Sequence, residues 1–299
     1  MQVMKQIISA ALTPFTADNE LDLDSAGRMY EFNIGHGIDG FFIFGTMGEW
    51  ALTSSREKNL IAEHACEVIG KRAKIFFGIQ DTGFKQMLEN MKSLRHLPHD
   101  AWVMICPPGW AGPSNPVEYA HRLADFSDRP VYLYHNPSFN GINLEASQFS
   151  EILSHSRIKG IKNSADSIRI RKELLILRKS IDFELFEGQE WAVDESLMLG
   201  CDGAICGFGS CGSKILKSIA AGIDSGEFEK ARKLQEKLIG MFKVVYGERR
   251  QHVWSGQKHA LVRMGILSSP AARVDGCDAR PEEIALINKC VDKNKDVLM

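Results

Sequence analysis

The sequence lacks an imbalance of charge and a long apolar run. Its 36 Lys+Arg residues against 38 Asp+Glu residues give a formal net charge of -2. The overall field therefore gives no reason to expect a nucleic acid or an anionic membrane as partner. The N-terminal residues Met1–Lys5 have no secretory apolar core, and no segment approaches the ~20 apolar residues of a membrane span. We therefore expect a cytoplasmic protein that binds neither membrane nor nucleic acid.

The sequence also lacks the spacings typical of metal sites and disulfide frameworks. Its seven cysteines are an odd number, and Cys201, Cys206 and Cys211 are separated by four residues rather than the two of common zinc knuckles. No histidine lies close to these three, and the nine histidines form no HExxH motif. We interpret the cysteines as reduced, structural thiols and expect no metal site.

Short apolar runs rich in β-branched and aromatic residues alternate with longer amphipathic stretches, which is typical of βα units and a parallel sheet. Eight runs are predicted as strands: Gln6–Leu12, Gly40–Gly45, Lys74–Ile79, Ala101–Cys106, Val131–Tyr134, Ile158–Lys162, Glu184–Glu187 and Gly203–Gly207. Helices are predicted between them, among them Asp24–Gly35, Ser55–Ile69, Pro116–Phe126, Glu145–Leu153 and Glu190–Leu199. Ser54 and Asn115 are predicted N-caps. Eight strands each followed by a helix predict an α/β fold of the (β/α)8 TIM barrel type.

After the eighth run the pattern changes to successive helices. These are Ser213–Ala221, Glu227–Val245, Gly256–Met264 and Pro281–Val291. The first can complete the barrel, which gives a barrel domain of residues 1–223 and a C-terminal helical extension of residues 224–299. Because no Pro/Ser-rich linker separates the two parts, we expect the extension to pack on the barrel.

Two neighbouring strands end in residues that can carry carbonyl chemistry. Lys162 closes the sixth run and Tyr134 closes the fifth. In a barrel the carboxyl ends of the strands meet at one mouth, so these two side chains are expected to face each other. A buried lysine favours its neutral amine, which can attack a carbonyl, and a phenol can move protons. Taken singly, each is more often an ordinary surface lysine or a strand tyrosine.

The second strand runs into the turn Gly45-Thr46-Met47-Gly48-Glu49. Glycines here allow close approach to a ligand and can present successive N–H groups to an anion such as a carboxylate. The alternative is a plain glycine loop. We interpret Glu49 as a structural residue that holds this turn from behind.

With these residues in place, the chain resembles the dihydrodipicolinate synthase / N-acetylneuraminate lyase family of class I aldolases. The resemblance covers nearly the whole chain. It rests on Ala11-Leu12-Thr13-Pro14-Phe15, Gly45-Thr46-Met47-Gly48-Glu49, Tyr134-His135-Asn136-Pro137-Ser138, Gly160-Ile161-Lys162 and Leu199-Gly200-Cys201-Asp202-Gly203-Ala204-Ile205.

The resemblance implies a homotetramer of barrels that needs no metal or organic cofactor. It implies that Lys162 forms an imine with pyruvate or another 2-oxo acid and that Tyr134 acts as acid and base. Thr46 would belong to the catalytic set and, with the Met47 backbone N–H, would hold the substrate carboxylate. Gly188 and Ile205 would offer backbone groups to the substrate.

The chain departs from the synthase pattern at three positions. Met47 stands where the synthases usually have a second threonine, and Trp110 stands in place of a tyrosine lent across the subunit interface. Phe139 stands where an arginine binds the second substrate's carboxylate. A phenyl ring has no donors for a carboxylate, so synthase activity is disfavoured.

The match to sialic acid lyases is also partial. Ser164 matches their hydroxyl two residues after the lysine. Their sugar-binding acidic pair aligns with Glu190 and Trp191, and a serine in strand eight aligns with Gly207. Only part of the polyol-binding set is therefore present.

A pocket lined by Trp110, Phe139 and Trp191 would favour a substrate shorter or more apolar than sialic acid, unless some of these aromatic rings turn into the core. We predict a lyase that cleaves or forms a 4-hydroxy-2-oxo acid of the 2-keto-3-deoxy sugar acid type, with pyruvate as the imine-forming partner. Within the family the alternatives are synthase activity, N-acetylneuraminate lyase activity and a dehydratase or hydratase-aldolase. From a different class, the chain could bind a 2-oxo acid without catalysis. A phosphate-binding barrel is a weaker alternative, because the loops after strands seven and eight offer only the glycines of Gly207-Phe208-Gly209.

Overall fold

Parallel strands in the order of the chain form the centre of the fold. The computed structural model describes residues 4–108 and 114–299. Within these residues eight strands pair in sequence and close into a barrel, with β8 hydrogen-bonded to β1. The strands are β1 Gln6–Ala10, β2 Gly40–Ile43, β3 Lys74–Gly78, β4 Ala101–Met104, β5 Val131–His135, β6 Ile158–Asn163, β7 Glu184–Glu187 and β8 Gly203–Cys206. The predicted (β/α)8 barrel is confirmed.

Helices follow the strands and cover the outside of the barrel. They are α1 Leu23–Gly35, α2 Ser55–Ile69, α3 Phe84–Leu94, α4 Pro116–Asp125, α5 Pro137–Asn140, α6 Ala146–Leu153, α7 Ile168–Leu177, α8 Val193–Leu199 and α9 Gly209–Asp224. Two predicted caps are confirmed. Ser54 forms a capping box with Glu57 at the start of α2, and the Asn115 side chain accepts from the first N–H groups of α4.

One predicted helix divides into two segments. The stretch predicted as Glu190–Leu199 begins with a 3₁₀ turn, Glu190–Ala192, and continues as α8. Ala192 has φ -144° and ψ 43°, which lies outside the helical region and separates the two. The break leaves Glu190 at the barrel mouth rather than on the outer face of a helix.

The barrel interior is unusually aromatic. Its inward-facing side chains are Ile8, Ala10, Phe42, Phe76, Ala101, Val103, Ile105, Tyr132, Tyr134, Phe186 and Ile205. Large rings fit because neighbouring strands contribute glycine: a Cβ at Gly160 would overlap the Tyr132 ring. The rings fill the barrel below the mouth, so a ligand can enter only from the carboxyl ends of the strands.

The C-terminal residues form helices that pack on the barrel and on each other. They are α10 Phe228–Val245, α11 Val253–Arg263, α12 Pro281–Lys293 and α13 Lys295–Leu298. Helix α10 lies along α9, and α11 packs against α12. In the described ranges no helix combines the length and hydrophobicity needed to span a membrane. The domain boundary drawn after residue 223 stays a prediction.

Candidate active site

Lys162 and Tyr134 face each other at the mouth of the barrel. The register of β5 and β6 pairs the two residues directly, and both side chains are buried. The Lys162 Nζ atom lies 4.0 Å from the centre of the Tyr134 ring and 4.9 Å from that of Phe42. Phe42 in turn meets Tyr134 edge to face at 5.9 Å. The amine nitrogen therefore lies against two aromatic rings, and Lys162 lines the cavity above them.

The Tyr134 hydroxyl lies among polar groups. It accepts a hydrogen bond of 2.9 Å from the Asn136 side-chain amide. Burial raises the pKa of Tyr134, but the charge of Lys162 and hydrogen bonding by neighbouring side chains outweigh it, so the pKa lies below its usual value of 10. The neighbours that contribute are Thr46, Ser164 and Asn136. A phenol adjusted in this way gives up its proton more readily than a free tyrosine.

The turn after β2 is conformationally strained. Phe44 and Glu49 both adopt left-handed φ angles, 65° and 53°, which are uncommon for residues other than glycine. Phe44 is held by the core, where its ring stacks on Phe77 at 5.9 Å. Between the two, Thr46–Gly48 forms a 3₁₀ turn, and the first N–H groups of such a turn have no partner within it. The turn places Thr46 and Met47 in the lining of the cavity.

The C-terminal extension fixes this turn from behind, and Glu49 is the structural residue expected there. The Glu49 carboxylate accepts from the Lys258 Nζ atom at 2.5 Å and from the Arg273 backbone N–H at 2.6 Å. The side chains of Glu49 and Lys258 are fully buried. The Trp254 indole donates to the Thr46 carbonyl at 3.2 Å. Two helix residues and one loop residue of the extension thus hold the turn in place.

The predicted backbone sites lie on the same cavity. Gly188 follows β7, and a Cβ there would overlap the Ser164 hydroxyl, so glycine is required for close packing at this edge. The buried Glu187 carboxylate accepts from the N–H groups of Gly188 and the next residue, each at 2.9 Å. Ile205 is buried on β8 and lines the cavity floor. Met47 lies opposite, against Gly207.

Glu190 lies in the cavity wall as a buried carboxyl group. It accepts from the Phe208 backbone N–H and, at 3.2 Å, from the Tyr246 hydroxyl. Burial raises the pKa of Glu190, while these two hydrogen bonds and the charges of Arg250 and Lys162 act against that rise. The net result is a carboxyl with a raised pKa.

The aromatic residues expected at the pocket have different positions. Phe139, on α5, lines the cavity and meets Trp50 edge to face at 6.2 Å. Trp191 does not line the cavity: 41% of it is exposed and its ring contacts Phe242. The expectation of a pocket residue at Trp191 is wrong, because the 3₁₀ turn that directs Glu190 inward directs its neighbour outward. Trp110 lies outside the described residues.

The three cysteines considered as metal ligands are buried. Burial raises the pKa of the Cys201 thiol to about 12, and that of Cys206 and Cys211 well above the usual 9. Such thiols stay protonated at neutral pH and fill space in the core.

Lys162, Tyr134 and the turn after β2 border a cavity of about 260 Å³. It is lined by Ala10, Thr46, Met47, Tyr134, Asn136, Ser138, Phe139, Lys162, Ser164, Gly188, Gln189, Glu190, Ile205, Gly207 and Arg250. Asn136, Ser138, Gln189 and Arg250 were not predicted. Asn136 directly follows β5, Gln189 directly follows Gly188, and Ser138 directly precedes Phe139, so the sequence does carry a signal for these three. Arg250 lies in the loop after α10, where the strand pattern gives no signal.

The chain matches a described protein family over almost its full length. A family model described as the dihydrodipicolinate synthetase family matches residues 3–283. Among curated proteins, 4-hydroxy-tetrahydrodipicolinate synthase of Thermosipho africanus is 28% identical over 247 residues, covering 80% of this chain and 83% of that protein. YagE of Escherichia coli K12, provisionally named a 2-dehydro-3-deoxy-D-gluconate aldolase, is 27% identical over 237 residues, 78% of each chain.

Solved structures have the same fold. The crystal structure of YagE, determined in complex with pyruvate, aligns with a TM-score of 0.89 at 24% identity over 100% of both chains. CdNal of Clostridium difficile, determined in complex with mannosamine, aligns with a TM-score of 0.90 at 20% identity over 98% of this chain and 99% of that chain. At these identities the alignments establish the barrel with its C-terminal helices.

Proposed function

Because the chain belongs to the dihydrodipicolinate synthetase family, we propose that it is a pyruvate-dependent class I aldolase. Its substrate would be a 4-hydroxy-2-oxo acid of the 2-keto-3-deoxy sugar acid type, which it cleaves to pyruvate and an aldehyde or forms from them. The observation that carries this proposal is the direct pairing of buried Lys162 with Tyr134 at the cavity floor.

Lys162 is the residue that would form the covalent intermediate. Its amine attacks C2 of the 2-oxo acid, and the carbinolamine loses water to give an imine. The aromatic faces of Tyr134 and Phe42 stabilise the positive charge of the protonated imine that follows.

Tyr134 would move the protons in carbon–carbon cleavage. In its deprotonated form, the Tyr134 oxygen takes the proton from the 4-hydroxyl group as the bond between C3 and C4 breaks, and the aldehyde leaves. The electron pair of that bond passes into the protonated imine to give an enamine. The enamine then takes a proton at C3, and water releases pyruvate from Lys162. The lowered pKa of Tyr134 supports this role.

The turn at Thr46–Gly48 would hold the carboxylate at C1. The Thr46 hydroxyl and the Met47 N–H would donate to that anion, since both residues line the cavity. Gly188 and Ile205 line the opposite sides and leave room for the carbon chain. Ser164 and Glu190 would contact the hydroxyl groups of the substrate.

Phe139 supports a lyase rather than a lysine-pathway synthase. It occupies the cavity wall with a ring packed on Trp50, and it offers no donor to a carboxylate at that position. The family resemblance further supports a cytoplasmic homotetramer that works without a metal or organic cofactor, and light scattering on the purified protein would test the tetramer.

Borohydride trapping tests the proposal. The protein is incubated with pyruvate and sodium borohydride, and its intact mass is measured. We expect the mass of one reduced pyruvate on the native protein and none on Lys162→Ala. Lys159→Ala is a matched control, because Lys159 lies on the same strand with its side chain exposed, and it should be trapped like the native protein.

Condensation assays then identify the partner. Pyruvate is supplied with neutral sugar aldehydes, with N-acetylmannosamine or with aspartate semialdehyde. Turnover with a short sugar aldehyde supports the proposal, and turnover with aspartate semialdehyde alone would assign the chain to the synthases. Absence of a pyruvate adduct on the native protein would contradict the aldolase reading.

A further inference from the structure

Arg250 places a cation of the C-terminal extension at the mouth of the cavity. The residue follows α10 and lines the same cavity as Lys162 and Tyr134. It adopts a left-handed backbone conformation, with φ 57°, which is uncommon for arginine. Its backbone N–H donates to the Gly247 carbonyl at 2.8 Å and closes the loop. The loop geometry thus holds the arginine at the cavity edge despite a conformational cost.

The guanidinium of Arg250 has no ionic partner within the described ranges. No carboxylate of residues 4–108 or 114–299 lies within 4.0 Å of it, and no side-chain hydrogen bond from it is formed there. By contrast, Arg273, also in the C-terminal extension, is bound to Glu57 and to backbone carbonyls. A guanidinium at a cavity edge with its donors unused is suited to an anion.

The buried Glu190 carboxyl lines the same cavity and makes no ion pair within 4.0 Å of the Arg250 guanidinium. Glu190 uses its oxygens on Phe208 and Tyr246, and burial raises its pKa above that of an ordinary carboxyl. Arg250 and Lys162 both act on Glu190 electrostatically, so both cations lie near the same wall. Lys162 would be consumed by imine formation at one end of the substrate, which leaves Arg250 for the other end.

We propose that Arg250 binds an anionic group, a carboxylate or a phosphate, at the end of the substrate far from the imine. The 4-hydroxy-2-oxo acid would then carry a second anion, and the aldehyde that it releases would be an acid or a phosphate ester. This inference rests on the proposed function, since Lys162 must fix the near end. It is also consistent with Phe139. The cavity wall at Phe139 is apolar, and the anionic group of the substrate would be bound by Arg250 of the extension instead.

The test compares two 2-oxo acids of equal chain length. 2-Oxoglutarate carries a far carboxylate and 2-oxopentanoate does not, and borohydride traps either one on the lysine. We expect the native protein to be half-trapped at about tenfold lower concentration of 2-oxoglutarate than of 2-oxopentanoate, as a charge-assisted contact at a partly exposed site predicts. Arg250→Ala should abolish this preference and leave trapping of 2-oxopentanoate within about twofold, and Arg250→Lys should retain part of it.

A neighbouring arginine supplies the matched control. Arg249 lies in a separate cleft of the extension, and Arg249→Ala should keep the native preference. In a second arm, pyruvate is condensed with glyceraldehyde or glyceraldehyde 3-phosphate. A preference for the phosphate ester that Arg250→Ala removes assigns the site to phosphate, and a preference for 2-oxoglutarate alone assigns it to a carboxylate.

Two results separate the inference from the function on which it rests. Equal trapping of the two acids together with no preference for the phosphate ester in the native protein, or an equal loss for all substrates in Arg250→Ala, would overturn the role of Arg250 while the aldolase stands. Failure of pyruvate and of both acids to be trapped on the native protein would overturn both.

Discussion

Replacing Tyr134 with phenylalanine separates proton transfer from substrate binding. The ring keeps its contacts with Phe42 and Lys162, because only the hydroxyl is lost. The hydroxyl accepts a hydrogen bond of 2.9 Å from the Asn136 amide, and losing that bond should cost about 1 kcal/mol of folding free energy. A positioned acid and base contributes about 10²- to 10⁴-fold to rate, or about 3 to 5 kcal/mol of activation free energy. We therefore expect kcat to fall by at least about 100-fold while the protein stays folded.

The assay measures kcat for aldol cleavage and, separately, the pyruvate concentration that half-saturates borohydride trapping. That concentration should change by less than about threefold, because the carboxylate site at Thr46 is untouched. Tyr132→Phe is the control. Tyr132 lies two residues before Tyr134 on the same strand, but its hydroxyl donates to Glu184, the first residue of β7, away from the mouth. A loss of less than about tenfold in Tyr134→Phe, with normal trapping, would refute Tyr134 as the acid and base. A pure binding protein would show that result.

Three further predictions concern the framework of the site. Lys258→Met should leave the buried Glu49 carboxylate without the Lys258 cation, lowering the free energy of unfolding by about 3 to 5 kcal/mol and raising KM for pyruvate. Adding Glu49→Gln should recover much of that stability in denaturant titrations. A hydrogen bond from Arg273 lowers the pKa of Glu57 from 4.5 to about 2, so its stabilisation is present above pH 4.5 and is lost as pH falls toward 2. Between pH 5 and pH 3 the Tm of Glu57→Gln should accordingly fall by about 2 °C less than that of the native protein. Gly188→Ala should reduce kcat/KM by at least about tenfold, measured by cleavage rate, because the added Cβ overlaps a cavity-lining hydroxyl.

Much of the fold follows from local sequence patterns, since each strand is an apolar run bounded by turn residues. Small differences at strand ends have local causes. The run predicted as Gly40–Gly45 ends as a strand at Ile43, because Phe44 turns to a positive φ. The run predicted as Gln6–Leu12 ends at Ala10, although the Ala11 N–H still bonds to the Phe42 carbonyl. Such end points depend on tertiary packing, which periodicity does not report.

The pairing of Lys162 with Tyr134, the proposed catalytic pair, could be placed from the sequence, because barrel topology brings strand ends together and the register of β5 and β6 then pairs the two residues. The part of the cavity wall formed by Glu190 and Arg250 could not be placed from the sequence. Whether Glu190 or Trp191 faces the cavity depends on one non-helical residue between two segments, and Arg250 reaches the mouth from a loop outside the strand pattern. Long side chains that arrive from a helical extension leave no periodic signal.

The extension therefore has a larger part in this site than its position after the barrel suggests. Lys258 and Trp254 hold the turn that contains Thr46, so the proposed carboxylate site depends on helix α11 as well as on β2. If Arg250 also selects the distal group, both ends of the substrate are governed from the extension, and the barrel itself supplies the imine and the proton transfer. Changes of substrate in such a barrel can then arise in the loop after α10 without disturbing Lys162 or Tyr134. This separation lets specificity change while the chemistry stays the same.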